Sequence, residues 1–332
     1  MEPNEIPFEE IVKALLDAET TFNPRFLYRL SDLEQANLEK LKTIWPQIPT
    51  WRRQAMMEDI EDLGLKDTLL YYLPLAIFAT QDEDAKVRRT AVQTLWEYED
   101  DELAPIFLNL MHSDEDYEVR SAAALGLGSY VYLGEIEEFP EKKLHEIEDA
   151  LLAVVNSSQP DIVRRTALAA LGFSSRAEVP QLIKNAYASQ EQKWLASALK
   201  AMGRSCSEEW KGEVLAMIEH ARPIVRTEAA RAAGELEIKE AKLPLIELLY
   251  DPDEDTRVAS IWALSQIGGE EIQDIYEEMI GETEDEDEIE IIEAAIDNLI
   301  FNQSLMLPLF DINDEEMDDR ADDLIQDFDG DF

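Results

Sequence analysis

The sequence predicts an all-α protein built as a solenoid of stacked helix pairs, and two observations carry that prediction. The first is a period. An arginine recurs at the head of an apolar stretch, and the steps from Arg164 to Leu195, to Arg226 and to Arg257 are 31 residues each. A fixed period of this size marks units that cannot bury an apolar face alone and do so by stacking on their neighbours. The second is the pattern inside each unit. Taking the arginine as position zero, small or apolar residues fall at minus one, plus three, four, six and seven, which is helical spacing with one buried face. Val225, Ala229, Ala230, Ala232 and Ala233 around Arg226 show it.

Taken in chain order, residues 1–31 hold one amphipathic stretch near 8–18 and read as a helical cap, because the end unit of an array has no neighbour to cover its face. Residues 32–301 carry the repeat. Its arginine stands weakly at Arg52 and clearly at Arg88, Arg120, Arg164, Arg226 and Arg257, while Leu195 replaces it in one unit and Ile292 in the last. Other apolar helices, such as "DDELAPIFLNLMHSD" and "KEAKLPLIELLYD", lie between, so each unit is two antiparallel helices joined by an Asp- or Pro-rich turn. Glycines at plus eight (Gly128, Gly172, Gly203, Gly234) suit helix C-termini. The 44 residues from Arg120 to Arg164 predict an enlarged unit, with an insertion that bends the array or adds a loop. Residues 302–332 mix acids with Leu, Ile and Phe, a composition that reads as a disordered docking tail.

The formal net charge of −45 opposes binding to nucleic acid or to an anionic membrane, since both depend on neutralising phosphates with Lys and Arg. Residues 281–332 alone hold 20 acids against Arg320. The longest apolar run, "LLYYLPLAIFA", is shorter than the roughly 18 residues a membrane span needs, and the acidic start of the chain has no secretory pattern; a cytoplasmic protein is expected. One cysteine, Cys206, leaves no internal disulfide, and the three histidines sit in separate units, so no metal or other cofactor is expected. No phosphate-binding glycine loop or nucleophile elbow occurs, and no catalytic residue is singled out.

The stretch "LPLIELLYDPDEDTRVASIWALSQIGG" (243–269) resembles HEAT repeats, in particular the short form named after phycobilisome lyase subunits: an apolar first helix with a proline, a DPD turn, an arginine, and Ala-Leu near the end. The resemblance covers roughly residues 32–301. It implies a right-handed α-solenoid of about eight HEAT-like helix pairs. It also implies a ladder in which Asp84, Asp116, Asp161 and Asp255 hold Arg88, Arg120, Arg164 and Arg257, with Arg226 in the same series.

In such arrays the second helices line the concave surface. Positions plus one and plus five point away from the apolar stripe, and across seven units five of these fourteen are basic and none is acidic. The basic residues are Arg53, Arg89, Arg165, Lys200 and Arg231; with Trp96 and Trp262 as anchors they form the candidate partner-binding strip. The expected function is a non-enzymatic scaffold that binds another protein on its concave face, with docking of the acidic tail in the same groove as a further expectation. The resemblance also invites two alternatives, a bilin-lyase-like enzyme subunit and a HEAT-like DNA-repair protein; the charge opposes the second.

Overall fold

The computed structural model describes residues 6–306, an all-α solenoid with no strand among the described residues. Two helices open the chain, α1 (Phe8–Leu16) and α2 (Arg25–Tyr28). Eight pairs follow: α3 (Gln35–Ile44) with α4 (Thr50–Lys66), α5 (Leu73–Ala79) with α6 (Ala85–Thr94), α7 (Leu103–Ser113) with α8 (Tyr117–Glu135), and α9 (Glu141–Val155) with α10 (Asp161–Ala170). The series continues with α11 (Val179–Ala188) and α12 (Gln192–Arg204), α13 (Lys211–Leu215) and α14 (Pro223–Glu235), α15 (Lys242–Leu248) and α16 (Glu254–Ile267), and α17 (Glu270–Glu282) and α18 (Glu286–Met306).

The opening helices bury Phe8, Ile11, Leu15 and Leu27 against Leu41 of α3 and Met56 and Ile60 of α4, covering the end face of the first pair. A second apolar cluster runs unbroken from Leu73 to Leu299, and the two clusters meet in the α5–α6 pair. Second helices of successive pairs pack directly on one another, whereas first helices mainly touch their own partners. The layer with the closer spacing lies on the inside of the curve, so the second helices form the concave wall.

The plus-eight glycines do not act as expected. None has positive φ, so none is a left-handed cap. They let neighbouring second helices touch: a Cβ on Gly172 would meet the Ala201 Cα at 2.7 Å, and one on Gly234 the Ala263 Cα at 2.8 Å. Gly128 and Gly203 face Ala170 and Ala232 in the same register. The enlarged unit also differs from expectation. Its extra residues lengthen helices, giving 19 residues in α8 and 15 in α9, and form no long loop.

The arginine ladder exists, but its acids are not those expected. Asp84 and Asp116 cap α6 and α8, turned toward the helices' own N–H groups, and Asp255 lies exposed in the first turn of α16. The carboxylates that hold arginines stand two residues before each cap. Arg88 donates from Nε and Nη2 to both oxygens of Asp114 at 2.8 Å, and Arg226 bonds Asp251 in the same fork at 2.8 and 2.7 Å. Arg53 reaches Asp82 at 3.2 Å. Each rung therefore crosses to the next unit. Asp82, Asp114 and Asp251 also accept the backbone N–H two residues on and present their carbonyls to Arg88, Arg120 and Arg257 of their own units. One aspartate thus fixes its own turn and receives the neighbouring unit's arginine.

The middle of the array lacks these acids. Ser157, Ser189 and His220 take over the turn, each accepting a backbone N–H two residues on. Arg164 does pair with Asp161 at 3.2 Å, as expected, but this pair is solvent-exposed and stays within one unit. Its guanidinium lies over the Trp194 ring, 5.1 Å from the centroid.

Candidate interaction surface on the concave wall

The strip marked by plus one and plus five is narrower in space than in sequence. Ser121, Thr227, Ala196, Ala169 and Met57 are buried between stacked second helices. Arg53 is only 3% exposed and is engaged by Asp82 and Glu83, which removes it from any partner's reach. Arg89 pairs with Glu118 of the next unit, and Arg231 with Glu228 of its own helix at 3.1 Å. Trp96 is half-buried against Gly126 and lines a separate pocket of about 290 Å³ with Glu61, Leu65 and Tyr98. Trp262, 40% exposed, lays its ring across Gly234.

Arg165 on α10 and Lys200 on α12 behave differently. Both are half-buried, and among the described residues neither has a carboxylate within ion-pair range. Burial lowers the pKa of each, the mark of a cation whose lost hydration is not replaced.

One helical turn further on, at plus nine, lie residues that the sequence reasoning did not single out: Phe173, Arg204 and Glu235. Arg204 crosses Gly172, donates to the Ala169 carbonyl at 3.0 Å and stacks over Phe173, 4.9 Å from the ring centroid. Phe173 in turn packs on the exposed Tyr132 at 5.4 Å. Glu235 crosses Gly203 in the same way. The glycine contacts leave a trough along the wall, and side chains of the following unit lie in it. Because plus nine shares a helix face with plus one and plus five, extending the register by one turn finds these residues.

Burial raises the Glu235 carboxyl to about 7 despite the nearby Arg204, Lys200 and Arg231, with Glu228 adding to the rise. The carboxylate lies against Gly203 while the residue as a whole keeps solvent contact. Burial likewise lowers the Arg204 pKa. The wall from α10 to α14 thus carries Arg165, Lys200, Arg204 and Arg231 against Glu228 and a Glu235 that is half-neutral near pH 7, in a chain of net charge −45. Aromatic faces flank it at Tyr132, Phe173 and Trp262.

An array of stacked helix pairs with an extended inner wall defines the class. A family model described as HEAT repeats matches residues 73–171 and 213–297, more than half of the chain. The chain belongs to the HEAT repeat family. No curated protein matches it in sequence. Among solved structures it is similar to human deoxyhypusine hydroxylase in complex with glycerol, with 18% identity over 80% of this chain and 96% of that one and a TM-score of 0.35. It is also similar to importin beta, with 13% identity over 90% of this chain and 47% of that one and a TM-score of 0.42. An engineered protein is 17% identical over 88% of both chains, with a TM-score of 0.35. At this distance neither activity nor ligand transfers from those proteins. No helix among the described residues is long and apolar enough to cross a membrane, and no His/Cys/Asp/Glu cluster there is suited to a metal ion.

Proposed function

We propose that this protein is a non-catalytic interaction scaffold that takes an acidic, aromatic-bearing segment of another protein on the concave wall between α10 and α16. A single observation carries the reading: among the described residues Arg165 and Lys200 are half-buried cations without an ion-pair partner, in a chain of net charge −45. A cation held desolvated and unpaired gains when a carboxylate arrives, because the cost of removing its water has already been met by folding. Tyr132, Phe173 and Trp262 add flat apolar area for side chains of the same segment. The negative remainder of the molecule repels acidic chains that miss the wall, which favours a defined register.

The test replaces Phe173 with a photo-crosslinking phenylalanine analogue in the full chain and identifies the captured peptides. Acidic segments of another protein are expected, and their capture should vanish when Arg165→Glu and Lys200→Glu are combined in a chain whose helical content is unchanged. Captured segments that carry no excess of acid, or that persist after charge reversal, would overturn the assignment.

A further inference from the structure

The chain carries its own acidic, apolar-studded segment. Residues 307–332, which lie outside the described residues, hold 11 carboxylates against Arg320, together with Phe310, Phe328 and Phe332. Resting on the scaffold reading above, we infer that this segment docks on the concave wall at Lys200, Arg204 and Phe173 and competes there with the partner. The occupant is this chain's own C-terminal segment, and two observations select it.

The first is charge. Among the described residues the wall offers Arg165 and Lys200 without ion-pair partners, and an Arg204 whose guanidinium hydrogen-bonds the Ala169 carbonyl alone. The segment's composition is the complement of that set. The second is reach. The segment starts after Met306 of α18, and α16 and α14 separate that helix from α12. Packed helices sit about 10 Å apart, so Lys200 lies roughly three steps, or about 30 Å, from α18. An extended chain covers about 3.3 Å per residue, so residues from about 316 onward reach the wall and the segment's acids extend past it. Covalent attachment supplies a high effective concentration, which lets weak charge attraction hold the segment in place.

Zero-length carbodiimide coupling, which joins a lysine amine to a carboxylate in direct contact, tests this on the full chain. The expected product is a link from Lys200 to a carboxylate within residues 311–331. It should be lost in 0.5 M salt and in the Arg165→Glu, Arg204→Glu double variant. The Lys211–Glu240 pair, 2.6 Å apart on other helices, serves as the coupling control. Control coupling without any link from Lys200 to the segment overturns the proposal. So do segment links confined to lysines elsewhere, or links that in a mixture of isotopically labelled and unlabelled chains always join two chains.

A synthetic peptide of residues 311–332 separates this proposal from the reading on which it rests. In a full chain whose acids from 311 to 331 are changed to Asn or Gln, the peptide should bind about tenfold more tightly than to the natural chain, as expected when about nine-tenths of the sites are already occupied. Equal binding to both leaves the scaffold surface standing and removes the self-docking. Binding to neither removes the wall as an acidic-segment site altogether.

Discussion

The ends of this solenoid and its middle are held together differently. At the ends, arginine and aspartate link successive units: Arg53 to Asp82, Arg88 to Asp114, Arg226 to Asp251. In the middle, Ser157, Ser189 and His220 replace the acids and Leu195 replaces one arginine, yet the helices stack without a break in the core. The difference teaches that the ladder is not what makes the units stack. Alanine against glycine does that, through contacts such as Gly172 on Ala201. Where the ladder's acids are missing, Arg165 and Lys200 on the inner wall have no ion-pair partner among the described residues, and there the wall becomes chemically distinctive.

Breaking a rung should give the largest effect. Asp251→Ala removes both hydrogen bonds of a fork in which each side chain is nearly buried, leaving Arg226 without its carboxylate. Loss of one partner from such a pair costs about 3 kcal/mol. Arg164→Ala removes an exposed pair, a ring contact and a hydrogen bond to the Val155 carbonyl and should cost about 1 kcal/mol. Urea unfolding of the two variants measures the contrast, and equal losses would erase the distinction between ends and middle.

Gly172→Ala attacks the middle where it is held. The added methyl meets backbone at Ala201, which cannot rotate away, and overpacking of this kind costs about 1–3 kcal/mol. Gly64→Ala provides the opposite control. That glycine lies inside α4 with nothing near its missing Cβ, so alanine there should stabilise by about 0.5–1 kcal/mol. Thermal unfolding shifts of the same sign in both variants would mean that the glycine contacts do not set the spacing.

The comparison also shows how much the sequence disclosed. The 31-residue period and the apolar spacing yield the stacked helix pairs, because both follow from which faces must be buried; the number of about eight pairs and the concave position of the second helices come with the resemblance to HEAT repeats. The ladder was legible as a pattern but not as a pairing. Asp84, Asp116 and Asp114 look equivalent in "DED", and only the cap geometry decides which carboxylate faces inward. Arg53 read as a free surface cation because its partner, Asp82, is 29 residues away in the next unit. The register stops one turn short of Phe173, Arg204 and Glu235; Arg204 and Glu235 matter because each crosses a glycine of the preceding unit, and Phe173 because the next unit's Arg204 stacks on it, contacts between units that the pattern of one unit does not show.

A rung can also be put back. Arg164 stands 25 residues before Ser189, the same separation as Arg226 from Asp251. Ser189→Asp should draw Arg164 off the Trp194 ring into a new fork and stabilise by about 1 kcal/mol or less. His220→Asp should gain nothing of the kind, because the unit before it presents Leu195 where an arginine would be needed. Melting temperatures of the two variants decide the point. A gain from His220→Asp equal to that from Ser189→Asp would show that any added acid suffices and that the register does not matter.

The smallest effect separates the two regions by pH. Burial raises Asp251, but its hydrogen bond from Arg226, the Asp253 N–H and the charges of Arg226 and Arg257 outweigh that and hold it below its ordinary 3.8. Its contribution is present above that value and is lost as pH falls through the lowered one. Glu235 on the wall runs the other way. Burial lifts it from 4.5 to about 7, so its contribution is fully present below 4.5 and is lost as pH rises through about 7. The exposure of the residue makes the change modest. Glu235→Gln keeps the neutral form at every pH, so the melting temperature of the variant relative to the natural chain should rise between pH 5 and pH 8. As Glu235 protonates below pH 7, the wall around Lys200, Arg204 and Arg231 becomes more positive while the aspartates of an acidic peptide stay ionised. Binding of the 311–332 peptide to the chain with the neutralised C-terminal segment should therefore strengthen from pH 8 to pH 6, and in Glu235→Gln it should not. A melting difference that stays flat from pH 5 to pH 8 would mean that solvent holds Glu235 near its ordinary value, and the pH dependence of binding would disappear with it.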